Sequence, residues 1–184
     1  MKTKVILSAV GSDRPGLTQA LAETVLGAGG NWLESHLSHL GGKYVGAVLV
    51  EVEQDRLPAL TDAIGKIDAS GLHVSMVAAG ETVDSAGYPL SIEVVGQDRP
   101  GIVREVTAVL TRLGANIEDF GSSTQKSAWS GEPIFRAEAR VRVPPEVSFE
   151  QVQSALEAIS GEIMVDLTVT PGADPSTTQG KLKT

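Results

Sequence analysis

The sequence predicts two α+β domains in tandem, each with the element order βαββαβ, an antiparallel sheet and helices on one face of that sheet. Two observations carry this prediction. The motif Gly-Ser-Asp-Arg-Pro-Gly at 11–16 returns as Gly-Gln-Asp-Arg-Pro-Gly at 96–101, an offset of 85 residues (96 − 11). An apolar run precedes the motif both times, at Val5–Val10 and at Leu90–Val95. Self-similarity at a fixed offset is typical of a duplicated unit.

Two further residue pairs obey the same offset, which extends the repeat well beyond the motif. Gly29 corresponds to Gly114, and Asn31 corresponds to Asn116. The segment that begins at Pro171 has no apolar periodicity, so we expect it to be disordered. The predicted organisation is a first domain at 1–79, a linker at 80–87, a second domain at 88–170 and a disordered tail at 171–184.

A helix is predicted after each apolar run. The first copy carries apolar or small residues at i, i+3, i+4, i+7, i+8 and i+11, the spacing of one helix face. They are Leu17, Ala20, Leu21, Thr24, Val25 and Ala28. The second copy has the same stripe at Ile102, Val106, Val109, Leu110 and Leu113, with Glu105 as its one polar residue. Gly29 and Gly114 stand where a helix C-terminus favours a left-handed residue.

Two paired strands, a second helix and a last strand complete each copy. The paired strands are predicted at 31–40 with 43–53, and at 116–124 with 134–143. The last of these alternates apolar and charged residues from Phe135 to Val143, which indicates one buried and one solvated face. The second helices carry apolar stripes at Leu57, Leu60, Ile64 and Ile67, and at Val152, Ala155, Leu156 and Ile159. The last strands are predicted at Leu72–Val77 and at 163–169. This is the ferredoxin-like plan.

Composition excludes several classes of protein. The chain has 184 residues, 41% hydrophobic and 21% charged, which is typical of a globular protein. It has no cysteine, which excludes disulfides, thiolate zinc sites and cysteine nucleophiles. Its net charge of −8 and its aromatic content of 4% argue against direct binding of DNA or RNA.

Targeting signals are weak in this sequence. Lys2 and Lys4 precede a short apolar run, but the run is too short for a signal peptide and ends without a convincing cleavage site. No segment approaches the length of about 18 apolar residues that a membrane span needs. We therefore expect a cytoplasmic protein with no membrane association.

The repeated loop has the features of a small anion site. Gly16 and Gly101 permit a tight turn from strand to helix, and the first helical N–H groups, from Leu17 and Ile102 onward, then point out of the helix end. Such a site suits one carboxylate or phosphate. The remaining candidates are Asp13 and Asp98, which could cap the turn or accept a hydrogen bond from a ligand ammonium.

Asn31 and Asn116 open the second strand of each copy, and we expect them to lie close to this loop. An amide donates and accepts hydrogen bonds, so a loop that binds an anion together with an amide suits a free amino acid. The plainer interpretation is that Asp-Arg-Pro-Gly only starts a helix and that each Asn only belongs to a turn. Repetition of both features at one spacing favours the functional interpretation.

The residues of the second copy carry a family resemblance. Asp-Arg-Pro-Gly at 98–101, Gly-Ala-Asn-Ile at 114–117 and Ser-Gly-Glu-Pro-Ile-Phe at 130–135 resemble tandem ACT-domain proteins of the glycine cleavage system transcriptional repressor family. The resemblance covers residues 1–170. It implies a non-enzymatic regulator that senses an amino acid such as glycine, acts through a protein partner and forms a homodimer. It also implies repression of glycine cleavage without direct contact to DNA.

The resemblance places ligand between two ACT domains. The residues that match the family positions are the loop glycines, Gly16 and Gly101, and the strand-opening amides, Asn31 and Asn116. The first copy departs from the pattern at Trp32, which stands where the second copy has Ile117, and at two histidines, His36 and His39. Trp32 could form one wall of a ligand pocket or pack between the copies.

The sequence also permits two alternatives, an acylphosphatase and a metal site. An enzyme of the acylphosphatase type would use the first loop as a phosphate cradle, but Arg14 and Arg99 each precede proline and are poor substitutes for its catalytic arginine. His36 and His39 lie three apart on a strand and so face opposite sides, which argues against a shared metal. We therefore expect no metal and no cofactor. Arg136, Arg140 and Arg142 are expected to form a solvated strand face.

Overall fold

The structure is a computed structural model that describes residues 1–68, 71–81, 86–126, 131–160 and 165–171. The chain divides into two compact units, Met1–Thr82 and Val83–Thr184. Each unit has its own hydrophobic core and is described by itself.

The first unit follows the predicted βαββαβ order. Its elements are β1 (Lys2–Ser12), α1 (Leu17–Gly27), β2 (Asn31–Leu40), β3 (Lys43–Glu53), a short 3₁₀ turn (Gln54–Arg56), α2 (Leu57–Asp68) and β4 (Leu72–Ala78). All strand pairs are antiparallel, and the strand order across the sheet is β2-β3-β1-β4.

The second unit repeats this arrangement. Its elements are β5 (Tyr88–Gln97), α3 (Ile102–Arg112), β6 (Asn116–Lys126), β7 (Pro133–Val143), α4 (Phe149–Ser160) and β8 (Val165–Pro171). The sheet order is β6-β7-β5-β8, again antiparallel throughout. The prediction of two ferredoxin-like domains is therefore confirmed. The last strand includes Pro171, where the tail was expected to begin, and residues 172–184 lie outside the described part.

Each core lies between one face of a sheet and its two helices. The core is formed by the apolar helix stripes and the inward-facing strand residues that the periodicity predicts. Burying these apolar faces away from water stabilises the fold. The largest fully buried side chains of the first core are Leu7, Leu21, Leu60 and Leu72. Those of the second are Leu90, Leu110 and Leu156. Among the described residues, the opposite face of each sheet carries no helix of its unit.

Local backbone features repeat at the offset of the sequence motif. Gly16 (φ 90°) and Gly101 (φ 94°) occupy the N-cap positions of α1 and α3 in the left-handed region. Gly29 (φ 76°) and Gly114 (φ 70°) follow the helix ends, as predicted. At the end of α1, Gly29 N donates to Leu26 O at 2.9 Å, one of the bonds that satisfy the last carbonyls of a helix.

Pro15 and Pro100 each precede the N-cap glycine, and each helix begins at the residue after that glycine. The hairpins differ between the copies. Gly41 and Gly42, both with positive φ, join β2 to β3 in a two-residue turn, whereas six residues separate Lys126 from its partner Pro133.

Candidate functional site

The first loop of unit 1 leaves the N-terminus of α1 open. In the described part of the chain, no side chain caps this helix. Ala20 N donates to Gly16 O at 2.9 Å, so the N–H groups before Ala20 point out of the helix end. A Cβ added at Gly16 would meet nothing within 4 Å. The loop therefore presents hydrogen-bond donors and the positive end of the helix dipole to open space.

Two hydroxyl groups lie beside this helix end. Thr18 Oγ1 and Tyr44 Oη are 3.0 Å apart and hydrogen-bonded. Residues 13–19 and Tyr44 line a concavity of about 470 Å³ at the loop. Neither hydroxyl is part of the repeated motif, and neither was predicted from the sequence. The signal that could have found them is that both positions become apolar in the second copy.

The equivalent loop of unit 2 already contains a carboxylate. Arg99 makes a two-pronged ion pair with Glu105, with Nη1 3.0 Å from Oε1 and Nη2 bonded to Oε2. Glu105 belongs to the first turn of α3, and its Oε1 is the atom that a Cβ at Gly101 would approach, at 3.9 Å. The polar residue on the predicted helical stripe thus pairs with the loop arginine.

The register shows that unit 2 also lacks the hydroxyl pair. Tyr44 lies opposite Gly11 in unit 1, and Phe135 lies opposite Gly96 in unit 2. Val103 takes the place of Thr18 at the 85-residue offset. The loop of unit 1 is therefore polar and open, whereas that of unit 2 has apolar neighbours and an internal carboxylate.

The expectation that each Asn lies close to its loop is wrong within a unit. Asn31 is in register with Glu51, which pairs with Lys4 near the beginning of β1. The Gly16 loop follows Ser12 at the other end, eight residues along the strand, which is roughly 26 Å away at 3.3 Å per residue. The reason is that α1 returns the chain to the beginning of β1 before β2 starts.

The second unit has the same separation. Asn116 is in register with Arg142, which pairs with Pro89 near the beginning of β5, whereas Gly101 follows the other end of that strand. The structure therefore does not bring either Asn together with the loop glycine of its own unit.

The other predicted ligand residues fall into two groups. Leu17 and Ile102 bury their side chains in the two cores, so only their N–H groups face the loops. Asp13 and Asp98 do not cap the helices. Asp13 Oδ2 lies 3.8 Å from His39 Nε2, which ties the loop to the end of β2, and Asp98 N donates to Pro133 O at 3.0 Å.

The departures of the first copy are explained locally. Trp32 packs against the core of its own unit, as Ile117 does in unit 2, so it fills space within one domain. His36 Nε2 contacts Glu34 Oε1 at 3.3 Å, and His39 contacts a different carboxylate. Within the described ranges, no three potential metal ligands come together.

The arginine-rich face of β7 is exposed and ion-paired. Arg136 pairs with Glu93, and Arg142 Nε donates to Glu118 Oε1 at 2.6 Å. Arg140 lies 3.9 Å from Glu118 and 4.0 Å from Asp119. This agrees with the predicted solvated strand face. No helix among the described residues combines the length and the hydropathy that crossing a membrane requires.

The fold and the repeated loops define a tandem pair of small α+β domains of the regulatory, ligand-sensing class. Models of the ACT domain match residues 3–77 and residues 84–166. The chain therefore belongs to the ACT-domain family and consists of two ACT domains in tandem. No protein with a curated description matches it significantly.

Two solved structures share this arrangement over nearly their full length. An unknown protein from Galdieria sulphuraria is 28% identical with a TM-score of 0.79, and the match covers 94% of this chain and 100% of that one. A protein provisionally named as a glycine cleavage system transcriptional repressor is 17% identical with a TM-score of 0.68, over 94% and 99% of the two chains. At 17% identity, the similarity to this second structure shows a shared fold only.

Proposed function

We propose that this chain is a non-enzymatic regulatory protein of the cytoplasm that binds an amino acid, such as glycine, at the Gly16 loop. The observation that carries this proposal is the open N-terminus of α1 beside the Thr18 and Tyr44 hydroxyls. Helical N–H groups would bind the ligand carboxylate, and the hydroxyls would bond its polar atoms. Asp13, which is about half exposed at the loop, would accept from the ligand ammonium.

The unit 2 loop has a different role in this proposal. Glu105 holds a carboxylate beside the N-terminus of α3, where it repels a second anion and keeps Arg99 engaged. Gly101, Ile102 and Asp98 then form the structural counterpart of the ligand loop. One amino acid is expected to bind per chain.

Asn31 completes the site in a homodimer. Since Asn31 and Gly16 lie at opposite ends of one sheet, a ligand that contacts both must meet Asn31 of a second chain. A two-fold axis makes this arrangement reciprocal, because each chain offers its loop to the amide of the other. Asn116 would make the corresponding contact in unit 2, where it would support assembly.

Regulation would pass to another protein rather than to DNA. The net charge is −8, and counterion release needs clustered cations. The relative provisionally named as a glycine cleavage system transcriptional repressor supports the proposal that this chain acts as a repressor.

Calorimetric titration with glycine and serine tests the site. Thr18→Val and Tyr44→Phe copy the residues of unit 2 and should weaken binding about ten- to 150-fold, the factor for losing a hydrogen bond to a charged ligand. Val103→Thr is the matched control in unit 2 and should leave the affinity unchanged. Unchanged affinity in both unit 1 variants would reject this site.

Mixed dimers test the contribution of Asn31. Asn31→Ala and Tyr44→Phe should each weaken binding in pure form, by about ten- to 150-fold. A mixed dimer of the two variants should regain one wild-type site, because one interface combines an intact loop with an intact amide. Failure to regain tight binding, with dimers verified by sedimentation, would contradict the shared site.

A separate assay tests the enzymatic alternative. Hydrolysis of acetyl phosphate by the wild-type protein would favour an acylphosphatase over a regulatory protein.

A further inference from the structure

The sheet faces without helices differ between the two units. In unit 1, this face combines apolar residues of β1 and β3, including Ile6, Ala47 and Leu49, with the polar side chains of Lys4 and Ser8. Their neighbour Val77, which pairs with Ile6 across β1 and β4, is 57% exposed. An exposed apolar sheet face is typical of a binding surface.

The register identifies the corresponding residues of unit 2, and they are polar or charged. Ile6 pairs with Leu49, whereas Ser91 pairs with Arg140 at the same places. Ser8 pairs with Ala47, whereas Glu93 pairs with Glu138. The duplication has therefore kept the backbone and changed the chemistry of this face. In unit 2 this face carries ion pairs, whereas in unit 1 Ile6, Ala47 and Leu49 form an apolar floor.

A cavity of about 930 Å³ stands on the apolar floor. Ile6, Ala47 and Leu49 line it, and the chain after β4, at 79–81, forms one side. Ala79 N donates to Lys4 O at 3.0 Å, which fixes that side against β1. Its volume lies within the range of about 300–1,000 Å³ of small-molecule sites.

One cation of this cavity, Lys4, makes no ion pair within 4 Å among the described residues, although it lies opposite Glu51 in the sheet and its charge acts on that carboxylate. Lys2 Nζ donates to Glu51 Oε2 at 2.8 Å, and this hydrogen bond raises the pKa of Lys2 and lowers that of Glu51. His36 contacts Glu34 at the opposite wall. Among the described residues, no carboxylate oxygen lies within 4 Å of the Lys4 ammonium.

We propose that this cavity of unit 1 binds a small apolar carboxylic acid, with the carboxylate on Lys4 and the hydrocarbon body on Ile6, Ala47 and Leu49. Besides Lys4, the charged residues Lys2, Glu34 and Glu81 line the cavity. An ammonium at the rim of an apolar floor is complementary to an anion with a hydrocarbon body, since burial of that body leaves the charge paired. The site is separate from the Gly16 loop, which follows the far end of β1.

Isothermal titration of the full chain with hexanoate and with phenylacetate tests this proposal. Acetate, which lacks the apolar body, and hexanamide, which lacks the charge, are the matched ligands and should bind at least tenfold more weakly. Lys4→Met should weaken hexanoate binding about ten- to 150-fold while leaving hexanamide unchanged. Ala47→Glu, which copies Glu138, should abolish binding by adding a carboxylate to the floor.

Two controls keep the outcome decisive. Val10→Ser alters an exposed apolar residue of the same face that does not line the cavity, and it should bind hexanoate like the wild type. Ile6→Ser, which copies Ser91, replaces Ala47→Glu if that variant fails to fold. The glycine titration should be unchanged in all of them, which separates this site from the loop site.

The proposal is overturned by any of three results. One is no saturable heat with hexanoate or phenylacetate up to about 10 mM. Another is hexanoate affinity that Lys4→Met and Ile6→Ser both leave unchanged. The third is a wild-type dimer that Ala47→Glu converts to monomers while hexanoate has no effect on assembly, since a second copy would then cover this face.

Discussion

Arg99 and Glu105 are joined by a two-pronged ion pair at the first turn of α3, and no such pair forms in the first unit because Ala20 stands where Glu105 does. The pair is about one third exposed, so solvent screens it and its effect on stability is small. Its consequence is local. The loops at Gly16 and Gly101 have the same backbone conformation, but only the loop of unit 2 has a carboxylate beside the N-terminus of its helix.

The first prediction exchanges this feature between the units. Ala20→Glu should place a carboxylate at the Gly16 loop and weaken glycine binding at least tenfold, because two anions would then share one helix end. Ala20→Gln is the neutral control of the same length and should weaken binding far less. Calorimetric titration measures both. Equal losses in the two variants would show that bulk rather than charge closes the loop.

The second prediction concerns the backbone at two glycines. Gly16→Ala should reduce the free energy of unfolding by about 1–2 kcal/mol, because φ is 90° and nothing obstructs the added methyl group. Gly46→Ala should reduce the free energy of unfolding by more than this, toward the upper end of the usual range of about 0.5–3 kcal/mol. A Cβ at Gly46 would lie 2.0 Å from His36 O, within the central strand β3.

Urea unfolding followed by circular dichroism measures both glycine variants. Gly41→Ala is a useful control, since this turn glycine has φ 59° and open space around it, like Gly16. Gly41→Ala should reduce the free energy of unfolding by about the same amount as Gly16→Ala. A Gly46→Ala protein as stable as the Gly16→Ala protein would contradict the close approach of β2 and β3.

The fold was predictable because its signals are local and occur twice. Helical stripes such as that of Leu17, Leu21 and Val25 fix which face is buried, and alternation does the same for β7. The site was only partly predictable. Glu105 was visible as a polar residue on an apolar stripe, but its partner lies six residues earlier in a loop, outside any helical spacing.

Two features required the strand register. The distance between Asn31 and Gly16 depends on the direction in which α1 returns the chain, which no local motif records. The apolar floor of Ile6 and Leu49 depends on which residues face each other across β1 and β3. Alternation alone indicated one polar face per sheet, and unit 1 departs from this at Ile6 and Leu49, which stand among exposed polar residues such as Lys4 and Ser8.

The third prediction concerns DNA. The isolated protein should show no sequence-specific binding at physiological salt, because its charge of −8 and its ion-paired arginine face offer no cluster of cations for phosphates. Fluorescence anisotropy with promoter fragments of glycine cleavage genes is the measurement, and an unrelated fragment is the control. Sub-micromolar binding that discriminates between the fragments without a partner protein would refute this prediction.

The last prediction concerns Tyr88, whose hydroxyl donates to Val147 O at 2.9 Å. Burial, with a smaller contribution from the Glu150 charge, raises the pKa of the Tyr88 phenol above its usual range. The stability that the neutral phenol provides is therefore present below about pH 10 and lost as the pH rises through the folded-state pKa. Tyr88→Phe should lower the free energy of unfolding at neutral pH by about 0.5–1.5 kcal/mol, through the lost hydrogen bond. The same variant should lose less stability than the wild type above pH 10. Urea unfolding across this pH range measures both effects. A pH dependence of the free energy of unfolding above pH 10 that Tyr88→Phe leaves unchanged would disprove the coupling.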